Sequence, residues 1–468
     1  MIELLRLCGF EEPDLEAELP RFEEAFNRLG ITSEDVEQIK QRLRTYYNVE
    51  LLGVRKLLGL YLEGLVNLVL AREDGKTKVI YGIMGAFDEV CSACVSKSDD
   101  VYMSFPSEIF EIVLGSMFGK LVPVLEAAEK AWLRAGTVAH CANLKTLLGL
   151  LVSDLIPRPD LVFTSGFLCD TAPKTTDLLS EIYGIPAFVQ DTCQDREISE
   201  YPDAKRTTDL MVKSARRFAK RMEEVVGFEI TDEMLWEQLE ARKALMGNIS
   251  QIRDLIEHGD PLAISPTHYI YLENLPRLAA SNSEFLRGAV EATSILLDEV
   301  QQRIDKGVGA VDRGAPRILS SHPALASDPR LDHLITEMGI ALVANEGGAL
   351  FPPDGGHTPP VFEPKDPYEG MSMSLHMSLL QSLRARANIL VEAGKRLKVD
   401  GTLCLTHVGC RTVVGDSLMV KRALAEELGL PVLYIEYEGF DPRVYNHEKL
   451  KRELELFKTM LHGGVGTQ

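Results

Sequence analysis

The chain has 468 residues, 45% of them hydrophobic, and its 50 lysines and arginines against 70 aspartates and glutamates leave a net charge of −20. So acidic a surface argues against nucleic acid and against an anionic membrane face as partners. The length suits about three domains of roughly 150 residues each, with ordinary buried cores.

In chain order, residues 1–75 read as helices, with apolar positions recurring at the helical period. The opening "MIELLRLCGFEEPDLEAELPR" is acidic and lacks the apolar centre of a secretion signal. The stretch "LLGLYLEGLVNLVLA" is interrupted by Glu63 and too short to cross a bilayer, so it is expected as a buried helix. The cytoplasm is the expected compartment. From "KTKVIYGIMG" to about residue 208, short β-rich runs alternate with helical stretches, "DLVFTSG" (160–166) and "IPAFVQD" (185–191) being the clearest strands. Residues 209–305 turn helical again, and Thr231 is the expected N-cap of the helix in "GFEITDEMLWEQLEARKALM". "GAPRILSSHP" (314–323) and "GIALVANEGG" (339–348) resume the alternation, "LFPPDGGHTPP" (350–360) reads as a loop, and a last helix runs to about Leu461. Alternating strands and helices imply parallel sheets covered on both faces. The expected fold class is α/β: two doubly wound parallel-sheet domains, flavodoxin- or Rossmann-like, at 76–208 and 306–468, with helical segments at 1–75 and 209–305.

An internal resemblance connects the two halves. "DLVFTSGFLCDTAPKTTDLLSEIYGIPAFVQD" and "DGTLCLTHVGCRTVVGDSLMVKRALAEELGLPVLYIE" both read aspartate, strand, loop with cysteine, helix, Gly-x-Pro, strand. Cys169 and Cys410 therefore fall at the carboxyl ends of parallel strands, where open α/β sheets bind ligands. Two such domains facing each other would bring them into one cleft. Cys141, in "GTVAHCANLKTLLGLLVSDLI", stands where an apolar helix begins, and a helix N-terminus favours the metal-binding thiolate. It is the best third partner.

The eight cysteines are irregularly spaced in a long chain, which fits reduced thiols better than a disulfide framework. Cys404 lies inside a strand and is expected in the core; Cys8 is expected to be inert; Cys193 follows "VQDT" in a loop. "CSAC" (Cys91, Cys94) lacks the second pair of a zinc ribbon, and "VSKSDDVYMSFP" after it does not read as a thioredoxin-like βαβ context. His140 and His407, near two of the favoured cysteines, leave a mixed Cys/His zinc site as an alternative. "GSMFGKL" is no Walker A loop, and "GVGAVDRG" (307–314) follows a helix where a dinucleotide fingerprint needs a strand. If ATP matters to this protein, another protein must bind it.

Four blocks, "HCANLK", "PDLVFTSGFLCD", "GAPRILSSHPALASDPRLDHLITEMGIALVANE" and "DGTLCLTHVGCRTVVGDSLMVKRALAEELGLPVLYIEYEGFDPR", resemble in order and spacing the 2-hydroxyacyl-CoA dehydratase D-component family. That family includes the cluster-carrying subunits of benzoyl-CoA reductase and the double-cubane cluster proteins. The likeness covers roughly residues 78–465, and "PSEIFEIVLG" looks like the family's Pro-x-Glu segment. The resemblance implies that Cys141, Cys169 and Cys410 hold a 4Fe-4S cluster, alone or as part of a double cubane, with Glu108 at the family's acidic position nearby. It also implies an ATP-dependent iron–sulfur activator as electron donor, a homodimer or a heterodimer with a related subunit, and a CoA thioester substrate passing through a ketyl-type radical anion. Cys193 stands where proline is usual in the family, and Glu438 where aspartate is usual. The expected activity is that of a radical 2-hydroxyacyl-CoA dehydratase or related reductase. Alternatives are a homodimeric double-cubane reductase of small molecules and a non-catalytic cluster or zinc carrier.

Overall fold

The computed structural model describes residues 1–131, 140–166, 169–190, 205–279, 283–322, 326–347, 363–376 and 383–463. Helices fill the chain up to residue 69. One of them opens on Thr32, whose hydroxyl accepts the Asp35 N–H while the Asp35 carboxylate accepts the Thr32 N–H, a reciprocal cap that fixes where the helix starts. Helix α1 (Leu52–Val69) is the apolar segment expected to be buried, and it is. Among the described residues no helix is long and apolar enough to cross a membrane.

The first sheet follows. Strand β1 (Lys78–Ile83) leads through helix α2 (Asp88–Lys97) to β2 (Val101–Ser104); helix α3 (Ala142–Val152) leads to β3 (Leu161–Ser165), and helix α4 (Thr171–Tyr183) to β4 (Ala187–Gln190). All pairings are parallel, in the order β2-β1-β3-β4. Helices again occupy most of 205–306, among them α5 (Tyr269–Leu278), and the expected N-cap is present, the Thr231 hydroxyl accepting the Met234 N–H. The second sheet comprises β5 (Arg317–Ser320), β6 (Ala341–Ala344), β7 (Gly401–His407) and β8 (Val432–Tyr437). It is also wholly parallel, in the order β6-β5-β7-β8. Helix α6 (Leu383–Leu397) precedes β7, α7 (Arg411–Leu428) joins β7 to β8, and α8 (His447–Gly463) ends the described chain. Both sheets thus run second, first, third, fourth strand, and each has its switch point between first and third. The α/β architecture with two parallel sheets is as expected.

The internal resemblance has an atomic basis. Asp160 Oδ2 accepts the Val79 N–H at 2.7 Å, and Asp400 Oδ2 accepts the Arg317 N–H at 2.8 Å, so each aspartate pins the start of the third strand to the first. Gly184 and Gly429 end α4 and α7 in the left-handed region, with φ of 58° and 65°, which a side chain would resist. Two residues on, the carbonyls of Pro186 and Pro431 accept the N–H groups of Val162 and Thr402, both at 2.9 Å. Proline has no N–H to offer a ladder but keeps its carbonyl, so Gly-x-Pro fits the entry of an outer strand.

One expectation is corrected. "VSKSDDVYMSFP" holds β2, parallel to β1, so Cys91 and Cys94 do lie on the helix of a βαβ unit. Both are fully buried within α2, and burial pushes both thiols up, that of Cys94 to about 12. Inert neutral thiols are the result. Cys8 and Cys404 are likewise buried, Cys404 inside β7. The loop expected at 350–360 and Cys193 lie outside the described residues.

Candidate functional site

Each sheet ends its third strand in a turn that delivers a cysteine to the start of a helix. Cys169 lies just ahead of α4, its Sγ accepting the Ala172 N–H at 3.3 Å. Cys410 is the N-cap residue of α7, its own N–H donated to the His407 carbonyl at 2.9 Å. Cys141 is the N-cap residue of α3. All three are half-buried. Unpaired N–H groups and the helix dipole put partial positive charge at such positions, which suits a sulfur carrying negative charge.

Cys141 stands where the halves of the chain meet. It is within electrostatic reach of Cys169. A Cβ placed on Gly409 would lie 3.1 Å from Cys141 Cβ, so the turn carrying Cys410 packs directly on it. Cys141 thus lies within electrostatic range of Cys169 and against the turn that carries Cys410, and each of the three cysteines stands at a helix N-terminus.

Two buried acids adjoin Cys141, and sequence reasoning gave neither a role. Glu438, on the turn after β8, takes the N–H of Phe440 at 3.4 Å; burial outweighs this bond and pushes its carboxyl up to about 7. Glu111 is fully buried and held by Asn143 Nδ2 at 3.0 Å; burial raises it well above the usual carboxylate range. It opens a π-helical stretch, Glu111–Met117, a widened turn that often marks functional sites. Glu108, the acid expected from the sequence, sits one turn earlier, with Arg277 Nη1 of α5 at 3.3 Å from its Oε1. Burial raises its carboxyl and Arg277 opposes the rise. Glu108 is thus held in an ion pair with Arg277. A signal for Glu111 was present in "PSEIFEIVLG", three residues past Glu108, but choosing between the two needs the helix geometry.

His407 closes β7 with its Nδ1 accepting the Gly439 N–H at 3.2 Å and lying 3.3 Å from Glu438 Oε1. Burial, then the neighbouring His322, lowers it to about 3, so the ring is neutral. His140 is buried beside Cys141. Among the described residues no three histidine, cysteine or acidic side chains converge as ligands of a single ion.

The donor set fits an iron–sulfur group. Burial pushes the thiols of Cys141 and Cys169 up, and the acids beside Cys141 push further, so without a cation they would stay protonated. Metal binding drives such thiols to thiolates, and the Ala172 N–H on the Cys169 sulfur is support of the kind that Fe–S thiolates use.

Comparison with known proteins agrees with the sequence resemblance. The family model for the 2-hydroxyglutaryl-CoA dehydratase D-component matches residues 103–461. The chain belongs to this family. The matched range holds all three crevice cysteines, Glu108, Glu111 and Glu438, and leaves out α1 and β1. Among curated proteins, a benzoyl-CoA reductase subunit of Thauera aromatica is 23% identical over 322 residues, covering 65% of this chain and 71% of the relative. Family and relative are both named for chemistry on CoA thioesters, one a dehydration and the other a reduction.

Proposed function

We propose that this D-component family member is the iron–sulfur subunit of a 2-hydroxyacyl-CoA dehydratase or benzoyl-CoA reductase-type enzyme, with Cys141, Cys169 and Cys410 as ligands of a 4Fe-4S cluster. The observation that supports the reading is that Cys141 lies within electrostatic range of Cys169 and against Gly409, the neighbour of Cys410, with each of the three cysteines at a helix N-terminus. Such a cluster supplies one-electron reduction at low potential, and three protein thiolates leave one iron open to a further ligand.

The chain's own residues supply the rest. The Ala172 N–H steadies charge on the Cys169 sulfur. Glu438 and Glu111, whose protonated forms burial favours, stand close enough to Cys141 to act on its charge. Glu108 is assigned as a further acid of the site, coupled to Glu111. The electron source is an ATP-hydrolysing activator, which suits a chain without a phosphate-binding loop, and the substrate is a CoA thioester held by this subunit with itself or a related one.

Anaerobic purification with iron and sulfide counting tests the reading. Wild type is expected to hold about four irons per chain, or about eight irons and an acid-labile bridging sulfide per dimer unit in a double cubane. Cys141→Ala, Cys169→Ala and Cys410→Ala should each lower the iron content, while Cys404→Ala should not. Zinc in place of iron, or full iron in all three variants, would overturn it.

A further inference from the structure

Glu438 belongs to the second sheet's last turn, and its carboxylate shares one small volume with Gly409 and Cys141. It accepts the N–H of Phe440 at 3.4 Å. It fills the place of a side chain at Gly409: a Cβ there would lie 1.7 Å from Glu438 Oε2, far inside van der Waals contact, 2.8 Å from Glu438 Cδ and 3.1 Å from Cys141 Cβ. His407 Nδ1, at 3.3 Å from Oε1, closes another approach. One carboxylate therefore sits where the turn that carries Cys410 packs on Cys141.

We infer that Glu438 is a positioning residue that sets the separation of Cys141 from Cys410, and that Gly409 must be glycine because the Glu438 carboxylate occupies the space of its side chain. The carboxylate is wedged where the β7–α7 turn meets Cys141, so the two thiols are held at a fixed spacing before any metal arrives. A shorter acid would fill that place less well but free the volume beside Gly409. Coupling between the two positions follows, because they compete for the same space. The inference rests on the reading that both thiols serve one metal group, and it is tested by a readout that needs no metal.

Four proteins are compared with wild type: Gly409→Ala, Glu438→Ala, Glu438→Asp, and Gly409→Ala combined with Glu438→Asp. Each is purified anaerobically, checked for a native melting transition, and assayed in two ways. Bound iron is counted, and the metal-free protein is treated with dibromobimane, a short reagent whose Cys141–Cys410 cross-link is identified by mass spectrometry. Gly409→Ala and Glu438→Ala are expected to lower iron affinity about 10- to 100-fold, the usual cost of losing support behind metal ligands, and to lower the cross-link yield alongside. Adding Glu438→Asp to Gly409→Ala should recover most of both, although neither change alone improves on wild type. That rescue is what a merely destabilising role would not give. Wild-type behaviour of Gly409→Ala, additive effects in the double variant, or no Cys141–Cys410 product from wild type would each overturn the inference. If wild type holds no iron while the cross-link follows the expected pattern, the cluster reading falls and the positioning role stands.

Discussion

Arg443 grips Glu129 with both terminal nitrogens, Nη2 to Oε1 at 2.8 Å and Nη1 to Oε2 at 3.0 Å, and so ties the segment after β8 to the first half of the chain. The same guanidinium binds Asp441 at 2.7 Å, and Lys145 of α3 completes the group with Glu129 at 2.9 Å. The planar fork matches a carboxylate in a way an ammonium cannot. Arg443→Lys is therefore expected to lose about 1 kcal/mol in urea unfolding, modest because the pair is partly exposed, and to lower metal retention as the Glu438 turn loosens. Hydrogen bonds from Arg443, then Lys145, hold the Glu129 carboxyl down at about 2. A depressed carboxyl stabilises the fold above its unfolded pKa of about 4.3 and loses that contribution as pH falls through about 2, so Glu129→Gln should flatten the acid limb of the stability curve.

Glu108 and Arg277 form a buried pair at 3.3 Å, with Asp88 Oδ2 at 3.9 Å from Arg277 Nε. Removing one partner strands a charge out of water. Arg277→Met should cost about 2–3 kcal/mol in chemical denaturation, toward the low end for such pairs because Arg277 keeps some solvent contact, and pairing it with Glu108→Met should recover much of the loss. Equal destabilisation by single and double variants would show that the pair contributes nothing specific.

Asp332 gives the clearest pH signature. It is buried, and burial, then Asp328 and Glu273, push its carboxyl up to about 7. Between its unfolded pKa of about 3.9 and that value the native state keeps a proton the unfolded state releases, so stability falls as pH rises through this window. The full effect is on the order of 4 kcal/mol, and Asp332→Asn should remove most of that slope in denaturation midpoints compared at about pH 5 and about pH 8. An unchanged slope would mean the group titrates normally.

Asp160 and Asp400 predict matching effects in the two halves. Each accepts a strand N–H through one carboxylate oxygen. Asp160→Ala and Asp400→Ala should each cost about 1 kcal/mol, the usual net value of such a bond. Asp160 should cost somewhat more, because Arg72 also binds it at 2.9 Å. Thermal melts of the two variants, side by side, check the ranking.

The repeat that those aspartates belong to was readable because each of its parts answers a local need: a side chain to start a strand, a residue tolerant of positive φ, a proline carbonyl at the next strand. The strands of both sheets were readable for the same reason, as short apolar runs between turn residues. β2 was harder to see, since "VYMS" has only four residues and follows a polar turn. Cys169 and Cys410 announced themselves by standing at strand-to-helix junctions, and Cys141 by standing where an apolar helix begins. Glu438 and Glu111 did not, because their roles depend on which turn of one half meets which helix of the other. No spacing along the chain encodes that meeting. The π-helical widening at Glu111 is also silent in sequence, being a matter of one extra residue in a helical turn.

About half of the chain separates Cys169 from Cys410, and the acid that braces their neighbour lies later still. On the ribosome, Cys141 and Cys169 emerge and can fold with their sheet long before the last strands are made. Any cluster that requires all three thiols must therefore be inserted after synthesis, by a donor that meets a finished polypeptide. Iron uptake then reports on docking of the two halves, and a chain interrupted before β8 would leave the cell's iron-delivery machinery with nowhere to unload.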